Sequence, residues 1–300
     1  MCWRTWKLCL QAACIVGLLP TLVEAQQPGS PGAPTREQLE WKPHWHRANL
    51  WDGAVIVGGW SLYLAERTVL PRRSEAIWEG PILFDEPIRD VLRAHVRGDR
   101  ETAETISDVM LTGSLVHNWL FDNLVVALAL HQEPEVAWQM SVANAEAYAI
   151  SFSLVSLLKT VSGRERPYVD ECERDPEYSE KCGEGRGIRA FPSGHAAATA
   201  TGAGLLCAHH THLPLYDGGI LDYGACGVGI AMTLLTATMR ITADRHWATD
   251  VLFGHALGFS SGYLVPTLLY YTDPDPDPDD VALLPMVSPD RLALQIRGRF

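Results

Sequence analysis

Apolar residues along this chain gather in six stretches with helical character, at about 53–66, 104–131, 135–160, 194–210, 219–240 and 246–271. Their number and length predict an all-α fold, a helical bundle with a core of about six helices. Between the first two, "RRSEAIWEGPILFDEPIRDVLRAHVRGDR" mixes charged and apolar residues and predicts one short helix around Pro87–Val96. Beyond the sixth, "DPDPDPDD" over Asp273–Asp280 reads as a stiff acidic spacer, because alternating proline favours extended backbone. The last stretch, "VALLPMVSPDRLALQIRGRF", predicts a short C-terminal β-hairpin about a Ser288-Pro289-Asp290 turn, or else a tail.

At the other end, "MCWRTWKLCLQAACIVGLLPTLVEAQQ" has the order of a secretory signal. Arg4 and Lys7 supply the charge, Leu8–Leu22 is mostly apolar, and Val23-Glu24-Ala25 fits a small-residue cleavage rule. The chain therefore divides into a signal peptide (1–25), a leader (26–50), a helical domain (51–272), the spacer (273–280) and the hairpin or tail (281–300).

Apolar helices raise the question of a membrane. A spanning helix needs about 20 mostly apolar residues. Only 251–272 offers that length without a formal charge, and it contains His255, Ser260, Ser261 and Pro266. Asp122 interrupts the second helical stretch, and Asn144 and Glu146 the third. Parity adds a constraint. If an exported N-terminus were followed by six spanning helices, the loop after the third would face a reducing cytoplasm. The expectation is an exported, periplasmic protein, soluble or peripheral, with an integral membrane bundle as the alternative.

Charge narrows the partners. With 300 residues and 47% of them apolar, the chain can bury a large core. Its formal net charge is −12, so it has no general attraction for nucleic acid or an anionic membrane surface. Any phosphate it binds must be drawn by a local cluster of cations. Outside the signal there are four cysteines. Cys172 and Cys182 flank the acidic loop "CERDPEYSEKC" and are a plausible disulfide in an exported protein. Cys207 and Cys226 lie in apolar stretches and read as buried thiols.

Three short stretches fall at helix ends. "KTVSGRERP" (Lys159–Pro167) closes the third helix, "PSGH" (Pro192–His195) opens the fourth, and "RITADRHWATD" (Arg240–Asp250) joins the fifth to the sixth. Pro192 and Ser193 suit a helix start, whose free N–H groups and positive dipole end favour an anion. Lys159, Arg166 and Arg240 add three cations. A phosphoryl group in transfer spreads negative charge over its equatorial oxygens, and arginine matches them through a planar fork. Asp250, one helical turn beyond His246, can accept its Nδ1–H, fixing the tautomer of a nucleophilic imidazole. His195 can protonate the leaving oxygen. If the arginines neutralise the charge, no metal or other cofactor is needed.

These motifs resemble the type 2 phosphatidic acid phosphatase superfamily, which includes bacterial acid phosphatases and vanadium haloperoxidases. The family pattern K-x6-R-P, P-S-G-H, S-R-x5-H-x3-D is matched by Lys159, Arg166-Pro167, Pro192-Ser193-Gly194-His195, Arg240, His246 and Asp250. Met239 replaces the usual Ser, which removes a helper hydroxyl but no central charge. The resemblance covers about residues 100–272. It implies His246 as nucleophile, Asp250 as its orienter and His195 as general acid and base. Lys159, Arg166, Arg240, Ser193 and the Gly194 N–H would hold the phosphate.

The implied activity is metal-independent hydrolysis of phosphate monoesters, or of lipid phosphates or pyrophosphates, through a phosphohistidine. Vanadium-dependent halide oxidation and non-catalytic phosphate binding are the alternatives. The acidic 168–185 loop is expected to overhang the site. His209, His210 and His212 have no carboxylate nearby in sequence and read as a helix end rather than a metal site. Asn144 and Glu146 either line the site or face water. His255 reads as a packing or surface residue, and Arg245 as a local salt bridge.

Overall fold

The computed structural model describes residues 38–69, 75–183, 187–272, 282–288 and 291–297. The signal peptide, the first part of the leader and the Asp-Pro spacer lie outside the described residues. Helix α1 (Leu50–Thr68) starts at Asn49, whose side chain accepts the Trp51 N–H while Asp52 accepts the Asn49 N–H. A short helix follows, α2 (Asp85–Leu92), close to where the sequence predicted one. Helix α3 (Arg97–Val116) continues as a π-helical segment, His117–Leu130. Helix α4 (Pro134–Ser162) opens on a proline and ends at Gly163, whose φ of 50° is the left-handed conformation of a helix stop. Then come α5 (Tyr168–Arg174), α6 (Gly194–His212), α7 (Ile220–Thr242) and α8 (Ala248–Val265), the last extended by a π-helical turn, Pro266–Tyr270. The fold is all-α, as expected. Near the C-terminus β1 (Ala282–Ser288) pairs antiparallel with β2 (Arg291–Arg297), Ala282 opposite Arg297.

Helix α6 is the axis of the bundle. It packs against α3, α4, α7 and α8, and Ala196 to His210 are all buried. Its sequence of Ala, Gly and Thr permits that crowding. The seam with α8 is closest: a Cβ on Gly258 would collide with the Ala197 carbonyl, and one on Gly254 would stand 2.6 Å from the Ser193 oxygen. Leu39, Trp41 and Trp45 are buried with Leu213, Leu215, Tyr270 and Tyr271. Residues 38–49 are therefore not a free leader, because their aromatic rings close one end of the bundle.

The outer faces of the long helices are apolar. Leu120, Phe121, Leu124 and Leu128 on the π-helical segment, Leu154 and Leu157 on α4, Val228, Leu234 and Leu235 on α7, and Leu252 and Phe253 on α8 are all exposed. Small residues inside and large apolar ones outside are the pattern of helices that pack in lipid. Among the described residues three helices are long and apolar enough to cross a membrane: 97–130, 134–162 and 220–242. The sequence reading recognised only 251–272 as long enough because it required a span without formal charges. Buried Asp122 and Glu146 point inward and do not interrupt an outer face.

Two disulfides tie the described residues. Cys172–Cys182 is formed, and so is Cys207–Cys226, which joins α6 to α7. The second corrects the reading of that pair as thiols: helix packing brings the two Cα atoms to 4.4 Å.

Candidate active site

The C-terminal end of α4, the start of α6 and the α7–α8 joint meet at one end of the bundle. They line a cavity of about 420 Å³ with Lys159, Arg166, Gly194, His195, Arg240 and His246 in its wall. All three motifs read from the sequence thus converge, from positions up to 91 residues apart. Ser193 caps α6, its side chain accepting the Ala196 N–H, and its own N–H donates to the Asp250 carbonyl at 2.9 Å. That bond ties the α6 start to the α8 start.

His246 is buried in the α7–α8 joint with Nδ1 3.5 Å from Asp250 Oδ2. Asp250 also accepts the Trp247 N–H at 2.9 Å and the Arg164 guanidinium at 2.6 Å. Its burial and the charges of Arg166, Lys159 and Arg240 hold the His246 imidazole well below its usual pKa range. The ring is therefore neutral, as a nucleophile must be. His195 Nε2 is 2.7 Å from the Asp108 carboxylate on α3.

The cations differ in how fully they are spent. Lys159 Nζ donates to the Arg189 and Pro192 carbonyls at 3.0 and 2.5 Å. Arg166 makes only long contacts, 3.4 and 3.5 Å, to the Arg245 and Arg189 carbonyls, and its Nε is buried without a partner among the described residues. Arg240 donates to Ser107 at 3.1 Å, and Glu104 stands 4.0 Å away. None of the three is closed in a tight carboxylate pair, so their positive field is directed into the cavity. Apolar side chains line the same cavity: Leu111, Phe152, Val155 and Ala198 with Tyr63, beside the charged Glu66, Arg67 and Glu104.

Sequence reasoning missed a clamp beneath these residues. Arg164, just past the end of α4, is fully buried and bridges Asp250 to Asp85 of α2, with Nη2 2.5 Å from Asp85 and the guanidinium 4.0 Å above the Trp78 ring. Asp85 in turn accepts the Thr249 N–H at 2.8 Å. Arg89, one turn along α2, grips Asp244 through two bonds of 2.7 and 2.8 Å, two residues before His246. Helix α2 thus holds both flanks of the nucleophile's joint. The helix was legible in sequence, but the only trace of this clamping role is a DExxR spacing, which many surface helices share.

Other expectations change. Asn144 and Glu146 neither line the cavity nor face water: Asn144 pairs with His209 at 2.8 Å and Glu146 accepts from Tyr270 at 2.7 Å. No described residue of 168–183 lines the cavity. That loop is drawn aside by Glu171 to Arg93 at 2.6 Å and by Tyr178 to Asp244 at 2.8 Å. Arg245 makes the local salt bridge expected of it, to Glu104 at 2.6 Å. His255 is a packing residue bonded to Thr233.

The family model of the PAP2 superfamily matches residues 141–273, which contain all three motifs. Among solved structures the chain is similar to the crystal structure of a transmembrane PAP2 type phosphatidylglycerolphosphate phosphatase from Bacillus subtilis. The identity is 17% over 72% of this chain and 94% of that one, with a TM-score of 0.45. No curated protein matches.

Proposed function

We propose, on the premise that residues 141–273 belong to the PAP2 superfamily, that this protein is an integral membrane phosphatase that hydrolyses lipid phosphates without a metal. One observation carries the reading. Three cations and a neutral, buried histidine line the same cavity as Leu111, Phe152 and Val155. Phosphate fits the cations, and an acyl or prenyl chain fits the apolar side chains beside them.

In this account Lys159, Arg166 and Arg240 hold the nonbridging oxygens, assisted by the Gly194 N–H at the α6 start. A Cβ on Gly194 would meet only Lys159 and Val155 at 3.7 and 4.0 Å. The protein's own packing does not require glycine there, whereas a phosphate resting on the backbone does. His246 Nε2 attacks phosphorus, while Asp250, 3.5 Å from Nδ1, steadies the charge that develops on the ring. His195 gives its proton to the departing ester oxygen. It then takes one from the water that cleaves the phosphorus–nitrogen bond, releasing inorganic phosphate and free His246.

The Cys172–Cys182 disulfide lies at the same end as the cavity, which supports a site facing an oxidising compartment. The test is phosphate release in EDTA from a detergent-dispersed lipid phosphate and from p-nitrophenyl phosphate, with His246→Ala alongside. We expect release that favours the lipid and is lost in the variant. Equal or better turnover of p-nitrophenyl phosphate would overturn the lipid assignment. Activity that requires an added metal would overturn the metal-free route.

A further inference from the structure

A second polar cluster lies at the far end of α6. His210 stands fifteen residues after His195, about 22 Å along the helix, so it is remote from the phosphate pocket. The "HHTH" run had no carboxylate near it in sequence, but the fold supplies two. His210 Nδ1 is 2.6 Å from Asp222 at the start of α7, and its Nε2 is 3.4 Å from Asp122 Oδ2. His117 Nε2 is also 3.4 Å from that oxygen. Tyr216 Oη lies 2.8 Å from Asp122 Oδ1 and 3.1 Å from His117 Nε2. The three ligand-type atoms of His117, Asp122 and His210 lie within 4.8 Å of one another.

We propose that His117, Asp122 and His210 form a zinc-binding site, distinct from the phosphate pocket, with the Tyr216 hydroxyl neighbouring as a fourth ligand. Three observations support it. First, two nitrogens each at 3.4 Å from one carboxylate oxygen are too far for good hydrogen bonds. That spacing matches the edge of a zinc tetrahedron, since ligand atoms 2.0–2.1 Å from the metal stand about 3.3–3.4 Å apart. Second, His210 Nδ1 meets Asp222 while its Nε2 faces Asp122, so an ion at the cluster would replace the Nε2 proton and leave Asp222 holding the Nδ1–H. A carboxylate behind a histidine is the usual outer support of a metal ligand. Asp222 is itself fixed by the Tyr216 and Gly218 N–H groups at 3.1 and 2.8 Å. Third, His117 and Asp122 are five apart, a spacing that an α-helix turns to different faces. They sit where the chain is π-helical, and i→i+5 bonding brings them to one face.

Two imidazoles and one carboxylate suit zinc better than magnesium or calcium, which prefer oxygen alone. His117 is partly exposed, which gives the ion a way in, while Asp122, His210 and Asp222 are buried. A bound ion would cross-link the end of α3, the end of α6 and, through Asp222, the start of α7.

The full chain, purified in detergent and stripped with a chelator, is titrated with zinc and with cobalt(II). We expect one zinc per chain, intense visible bands for the cobalt form, and a zinc-dependent rise in melting temperature. His117→Gln, at the most accessible position, should lose all three. Asp222→Asn should weaken binding roughly 10–100-fold while keeping one site. Phosphate release should be unchanged by zinc removal, since the two sites are far apart. A wild-type chain that binds no zinc would overturn the proposal, leaving an imidazole–carboxylate network only. Binding unaffected by His117→Gln would overturn it too, because the ion would then sit elsewhere.

Discussion

Arg164 spends its guanidinium on Asp85, Asp250 and Thr249, whereas Arg166, two residues on, meets only carbonyl oxygens and keeps its charge for the cavity. Sequence could name Arg166 because it falls on a motif. It could not separate the roles of the two, since partner choice depends on α2, about 80 residues upstream. The same holds for Asp85 and Arg89. Asp250, by contrast, was legible from its spacing to His246. Asp250→Asn should keep the fold but lose the tautomer control, lowering kcat by a factor on the order of 10³–10⁴. A loss below tenfold in a steady-state assay would contradict its orienting role. The pH profile gives a second check. His246 is held neutral by burial and by Arg166, Lys159 and Arg240, so the acid limb of kcat/KM should lie well below pH 6.5. Removing a cation favours the protonated ring, so Arg166→Gln should move that limb to higher pH. A limb that stays in place would mean that His246 does not control it.

Among the elements, the α6–α8 seam sets how far "PSGH" stands from His246. Alanine is normally better than glycine in a helix by up to about 1 kcal/mol. At Gly258 the sign should reverse, because the new methyl would strike the Ala197 carbonyl. At Gly224 in α7 nothing stands within 4 Å of the new Cβ. Gly258→Ala should lower both melting temperature and activity, and Gly224→Ala should leave both unchanged or slightly raised. Equal effects would deny the seam its positioning role. The long helices were readable because apolar runs of this length leave few alternatives. Helix α5 was missed because its seven residues, "YVDECER", are mostly charged and are held by a disulfide and ion pairs rather than by periodicity. The π-helical segments leave no trace in apolar periodicity, so the meeting of His117 with Asp122 could not be foreseen.

For the whole molecule, the decisive feature is the distribution of apolar surface. Large side chains face outward along the long helices while the axis is built of alanine, glycine and threonine. Read along the sequence, Asp122 and Glu146 looked like breaks in a span. In the fold they are internal, and the outer faces are continuous. The protein should stay in the membrane pellet after alkaline carbonate extraction, and release into the supernatant would contradict an integral bundle. The proposed orientation rests on the Cys172–Cys182 loop, whose Tyr178 bonds Asp244 two residues before His246. Intact cells should hydrolyse an impermeant phosphate ester as fast as lysed ones, and activity seen only after lysis would place the site on the reducing side.

The central claim is that His246 carries the phosphoryl group. The direct measurement is a rapid alkaline quench of the enzyme with phosphorus-labelled substrate, followed by mapping of the label. The account predicts an alkali-stable, acid-labile label on His246, absent from His246→Ala and accumulating when the deprotonating base is removed in His195→Ala with an activated ester. Turnover with no label on His246 would contradict it.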